Sequence, residues 1–378
     1  MLRFPIQLIG VALGTCGVGL LLANVNEGSI VAEGSIRVIV FITTSLSVLY
    51  DTIYICFNVL LQDPRTWIQR ELNSPRQCSA FAALIMHLSM VAYILANYLS
   101  FPSSIHISRI LAYFAAILQV INMTFCCHLL RRIAIEENIK LFSLPEPYFN
   151  PVFHSITMSA IGIPGRSDFA IYIRALLTSI GLLLLLPSTI TQLFRVLKDD
   201  DTSNDNTIAL LQAAPSMVFI GWLLVPTISI EPIESVMAHI LFIYSFIFYV
   251  ATIYAIGCRK NKLVQDHTIS SFTFSFVNTA NATNIYFARN YDNVFDIIPI
   301  YWTMRIYSVF VAAMAVFIVL YVSLVYLSCG LFVFLAAKEG EEEENGVTTL
   351  VLTSAEISND EDIKCCDNFS ETQTNQRY

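Results

Sequence analysis

The residues best suited to chemistry lie in one run, Ser270-Ser271-Phe272-Thr273-Phe274-Ser275-Phe276-Val277-Asn278-Thr279-Ala280. It sits in an apolar segment yet carries a hydroxyl or an amide every few residues. Each unpaired polar group facing hydrocarbon costs several kcal/mol or so. The segment is therefore expected to face other helices or water. Neutral donors alternating with phenyl rings suit a narrow polar path with an apolar constriction. They equally suit a packed interior helix whose Ser and Thr bond its own carbonyls. On these residues alone both readings stand.

Other reactive side chains are isolated. Asp51 lies deep in the second apolar segment, where a charge is costly and marks a functional candidate. It is expected to carry a proton-coupling role or to bond a polar partner on its own helix, Tyr54 or Asn58. His87 and His154 fall on separate segments and are expected to be hydrogen-bonded interior residues. The histidines are never at metal-ligand spacing, and the nine cysteines contain no C-x-x-C. Nucleophile, acid–base and phosphate-cradling signatures are absent. Neither metal nor cofactor is expected, and the chain does not read as an enzyme.

Composition defines the elements that position these residues. Of the 378 residues, 56% are hydrophobic and 13% are charged, against roughly 25% charged in soluble domains. The formal net charge of -8 excludes a nucleic-acid-type basic surface. Apolar runs of spanning length recur from end to end, which predicts a polytopic α-helical membrane protein. Ten spans are expected: 4–24, 36–61, 78–99, 107–130, 148–165, 169–194, 207–229, 235–257, 267–287 and 299–335. The first is followed by Asn24-Val25-Asn26-Glu27, without a small-residue cleavage pattern, and reads as a span. The tenth exceeds the about 20 residues a bilayer needs, so it is expected to project or to bend near Gly330. Residues 1–337 form the membrane domain. Residues 338–378, led by the acidic run Glu339 to Glu344, read as a disordered tail.

Charge orients the spans. With the N-terminus cytoplasmic, 15 of the 21 basic residues fall on that side. Arg37, Arg109, Arg166, Arg174, Arg289 and Arg305 fall on the other. This asymmetry supports an even number of spans with both termini cytoplasmic. The cell surface is the default membrane.

Odd and even spans differ. The first carries Pro5, Gly10, Gly14, Gly17 and Gly19, the fifth Pro151, Gly162 and Pro164, and the seventh Pro215 and Gly221. The ninth is the Ser/Thr/Asn run. Even spans are more uniformly Leu, Ile, Val and Phe. The third, with small residues but no glycine, fits least well. Interrupted helices are tolerated where they pack closely or line a cavity, and uniform ones suit lipid. The pattern predicts an inner ring of odd helices inside an outer ring of even ones. Gly10, Gly14 and Gly17 share a face. With Pro215, Thr273 and Asn278 they are candidate pore-lining residues, or residues of close helix contact.

The chain resembles the tellurite-resistance/dicarboxylate transporter family, which includes slow anion channels and malate carriers. Phe4-Pro5-Ile6-Gln7-Leu8-Ile9-Gly10 is similar to the family's opening span. Glu71-Leu72-Asn73-Ser74-Pro75 resembles its entry to the third helix, although Asn73-Ser74 replaces the usual histidine before proline. Asn150-Pro151, Ala213-Ala214-Pro215-Ser216 and Phe272-Thr273-Phe274-Ser275 are similar to further family patterns. The likeness extends over most of residues 1–335. It implies ten transmembrane helices as five helical hairpins around a central pore. It implies a gate phenylalanine on the ninth helix, which is Phe274 here. Ser275 stands where the family has proline, so Phe272 or Phe276 is an alternative gate. The resemblance also implies a homotrimer with one pore per subunit. The expected function is transport of small anions: chloride or nitrate, sulfite, or a C4-dicarboxylate such as malate. The expected partners are those inorganic or small organic anions and the lipid bilayer. The alternative is a multi-pass membrane receptor without transport activity.

Overall fold

The structure, a computed structural model, describes residues 8–25, 33–56, 75–99, 103–136, 149–164, 167–198, 209–224, 231–257, 270–294 and 298–344. Ten long helices occupy these residues: α1 (Leu8–Val25), α2 (Glu33–Ile55), α3 (Pro75–Asn97), α4 (Ser104–Glu136), α5 (Phe149–Gly162), α6 (Asp168–Lys198), α7 (Leu210–Leu224), α8 (Glu231–Gly257), α9 (Ser270–Val294) and α10 (Ile298–Glu344). No strand occurs among the described residues. Each helix overlaps one of the ten expected segments. Pro75 opens α3 and Pro151 falls in the first turn of α5, where a missing N–H is tolerated. The last helix runs unbroken through Gly330 to Glu344, so the start of the expected tail continues it. Residues 345–378 lie outside the described residues.

The even helices share one burial pattern. On α2 the buried positions are Val40, Thr44, Ser47, Asp51 and Tyr54. On α10 they are Ser308, Val311, Ala315, Val319 and Val322. Spacings of three and four draw a single stripe down a helix. The remaining faces are apolar and open: Phe41 and Leu49 on α2, Ile110 and Ile117 on α4, Leu183 on α6, Ile243 on α8, Phe317 on α10. Apolar surface on this scale signals a nonaqueous surrounding. Only 28% to 33% of the most apolar stretch of each even helix is buried, and these five helices are long and apolar enough to cross a membrane.

Four odd helices contain runs buried on all sides, and α3 is buried less completely. Residues 272–287 of α9 are buried without interruption, as are residues 11–20 of α1, 154–163 of α5 and 212–221 of α7. Each odd helix packs on the even helix that follows it. Contacts α1–α3, α3–α5, α5–α7, α7–α9 and α9–α1 join the odd helices into a closed cycle. A helix without a lipid face needs no long apolar stretch, and those of α1, α3, α5 and α7 are only 17, 17, 11 and 13 residues.

Glycine lets these helices approach closely, as expected where lipid offers no hydrophobic drive to associate. A Cβ built on Gly162 of α5 would stand 2.7 Å from the Ser89 carbonyl oxygen of α3. One on Gly14 of α1 would stand 2.7 Å from the Thr273 Cβ of α9.

Candidate functional site

The α9 helix supplies most of the candidates, and its two faces do different work. Phe274 joins a buried cluster with Leu13 and Cys16 of α1, Met86 and Met90 of α3, Met158 and Ile161 of α5, and Met217 and Val218 of α7. The four other odd helices thus all contribute to the apolar mass that holds its ring. Phe272 and Phe276 join a different cluster, with Tyr249 of α8 and Val311 and Ala315 of α10. They stack on one another at 6.1 Å, and Phe276 meets Tyr249 edge-on at 5.7 Å. Residues four apart share a face, and a residue two away points nearly opposite. Phe274 therefore faces away from Phe272 and Phe276, which pack toward α8, α10 and one side of α1.

Polar residues of α9 divide in the same way. Thr273 Oγ1 donates to the Gly10 carbonyl at 2.8 Å. Asn281 Nδ2 donates to the Gly17 carbonyl at 3.0 Å. Asn24 Nδ2 donates to Asn281 Oδ1 at 3.3 Å, and Tyr98 Oη donates to Asn24 Oδ1 at 3.2 Å. Missing side chains on α1 give α9 access to these carbonyls. Gly14 lies against Thr273, and Gly17 against Val277. Gly10, Gly14, Gly17 and Thr273 thus meet in one α1–α9 seam.

Asn278 lies one turn beyond Phe274 on the same face. Its Nδ2, the Ser275 hydroxyl and both side-chain polar atoms of Gln212 on α7 are buried without a hydrogen-bond partner among the described residues. Orphaned polar atoms are rare in folded proteins because each costs about 1–3 kcal/mol. Here three side chains on the adjoining helices α7 and α9 retain that capacity, and all are neutral. Pro215 lies within α7, one turn from Gln212.

Asp51 has a partner on another helix. Its Oδ2 meets His87 Nδ1 of α3. His87 Nε2 meets Ser47 Oγ of α2 at 2.8 Å. Tyr54 packs with Leu8 and Ile9, and Asn58 lies outside the described residues. Thr44, Ser47 and Asp51 along one stripe were a readable sign that α2 offers a polar edge inward. His154 of α5 meets Ser188 Oγ of α6 at 3.3 Å. Among the described residues no three His, Cys, Asp or Glu side chains gather where a metal would sit.

Compared with models of known families and with curated proteins, the chain matches none.

Proposed function

We propose that the chain is an anion permease of the tellurite-resistance/dicarboxylate transporter type. Five hairpins, each an odd helix and its even successor, surround a path along the axis of the odd-helix ring. One observation carries this reading. The least apolar of the ten helices, α9, is buried on every side, and its inward face presents Phe274 and then the uncommitted amide of Asn278. The amides of Asn278 and Gln212 and the Ser275 hydroxyl supply donors without charge. Neutral donors hold an anion weakly, which favours its rapid release. Phe274 closes the path until its ring moves aside.

The same reading places both termini in the cytoplasm and the protein at the cell surface, and treats it as a homotrimer. Light scattering of the solubilised particle tests the last point, and a particle of monomer mass speaks against it. The activity itself is tested with purified protein in vesicles loaded with chloride, nitrate, sulfite or malate. Efflux of at least one anion, increased by Phe274→Ala, is expected. Folded, inserted protein that passes none of the four, with or without Phe274, defeats the proposal.

A further inference from the structure

The buried Asp51–His87 pair is not used by the permease reading, yet its bonding suits it to take up and release a proton. Ser47 has one hydroxyl hydrogen, and the Thr44 carbonyl lies 2.7 Å from Ser47 Oγ to receive it. With its hydrogen on the Thr44 carbonyl, Ser47 Oγ faces His87 with lone pairs, and in this loaded state His87 Nε2, 2.8 Å away, carries a hydrogen. Nδ1 meets Asp51 Oδ2. A carboxylate oxygen and an imidazole nitrogen attract only when a proton lies between them. The loaded pair thus holds one shared proton and is neutral overall, whether written as aspartate–imidazolium or aspartic acid–imidazole. Releasing one proton to water leaves aspartate beside a neutral imidazole, and the net charge of the pair becomes -1.

Position gives this change a consequence. The side chains of His87 and Asp51 are 1% and 10% exposed, so little solvent screens the charge. The α2–α3 contact is slight, and the bonds from His87 to Asp51 and Ser47 are its polar links. Cys16 of α1 is the other titratable group against His87, and it belongs to the apolar cluster that holds Phe274. Asp51 and Ser47 are what α2 contributes. The other helices packed on α3, α4 and α5, place no charged or titratable group against His87 among the described residues.

We infer that the Asp51–His87 pair is a proton-binding site that regulates anion passage, with the loaded, neutral pair permitting flux and the emptied, negative pair opposing it. This rests on the permease reading. A unit negative charge one helix diameter, about 10 Å, from a passing anion changes its energy enough for an effect on the order of tenfold at an effective dielectric constant of about 20.

The test joins two readouts from full-length protein in vesicles across a range of pH. The first is efflux of nitrate, whose own charge is constant. The second is the nitrogen-15 NMR signal of His87, assigned with His87→Gln. Wild-type flux is expected to fall roughly tenfold as pH rises, in step with a change in the His87 ring-nitrogen signals. Asp51→Asn and His87→Gln should flatten the flux profile, and Asp51→Asn should move the His87 signal. Ser47→Ala, a milder change, should keep a pH-dependent flux but displace its midpoint. A wild-type profile that persists in Asp51→Asn and His87→Gln overturns regulation by this site. A His87 signal constant across the folded range overturns proton binding itself. If neither wild type nor Phe274→Ala passes nitrate, the permease reading and the regulation fail together for that anion, while the NMR signal still decides whether the pair binds a proton.

Discussion

Phe274 and its neighbours Phe272 and Phe276 are chemically identical, and only their surroundings separate them. The sequence shows three rings at alternate positions, and helical geometry puts the middle one opposite the others. It does not say which face is interior, because that depends on helices far away in the chain. The structure divides them between two clusters: Phe274 joins one that draws on α1, α3, α5, α7 and α8, and the other two join one with Tyr249 of α8, Val311 of α10 and Val11, Val18 and Leu21 of α1. Phe274→Ala is expected to raise anion flux several-fold in vesicles. Phe276→Ala should leave flux no higher while lowering stability by about 3 kcal/mol, the usual scale for emptying a packed phenyl site. Thermal unfolding in detergent measures the second effect. Asp51 teaches the same lesson. Its depth in an apolar segment was legible, but its partner lies 36 residues away, and no local pattern points there.

At the scale of the element, the odd helices were legible by their glycines and prolines rather than by hydropathy. The α9 helix is polar because its neighbours are protein: α1 carbonyls receive Thr273 and Asn281. What the sequence left open was whether Gly14 and Gly17 border a path or a helix, since small residues serve both. The structure places α9 directly against them. Gly17→Ala should therefore destabilise the protein by about 1–3 kcal/mol, the range for overpacking, by driving its methyl into Val277. Val277→Ala should restore part of that loss in the double variant, and a thermodynamic cycle from unfolding data reads the coupling. Equal and additive effects would show that the seam does not depend on this contact. Gly162→Ala should be harsher, because it meets the backbone of Ser89, which cannot rotate away.

For the whole molecule, the alternation of interrupted and uniform segments foretold which helices would be buried. Closure of the odd helices into a cycle was not legible, because it requires α9 to return to α1 across more than 250 residues. The account then stands on water reaching the inner face of α9 but not the outer face of α8. Accessibility of introduced cysteines to a negatively charged thiosulfonate, in vesicles and relative to native thiols, measures this directly. Asn278→Cys should react when combined with Phe274→Ala, and a permeant anion should slow the reaction. Ile243→Cys, on the 56%-exposed apolar face of α8, should stay unreactive in the bilayer. Reaction at Ile243→Cys with none at Asn278→Cys would contradict an aqueous path inside the ring.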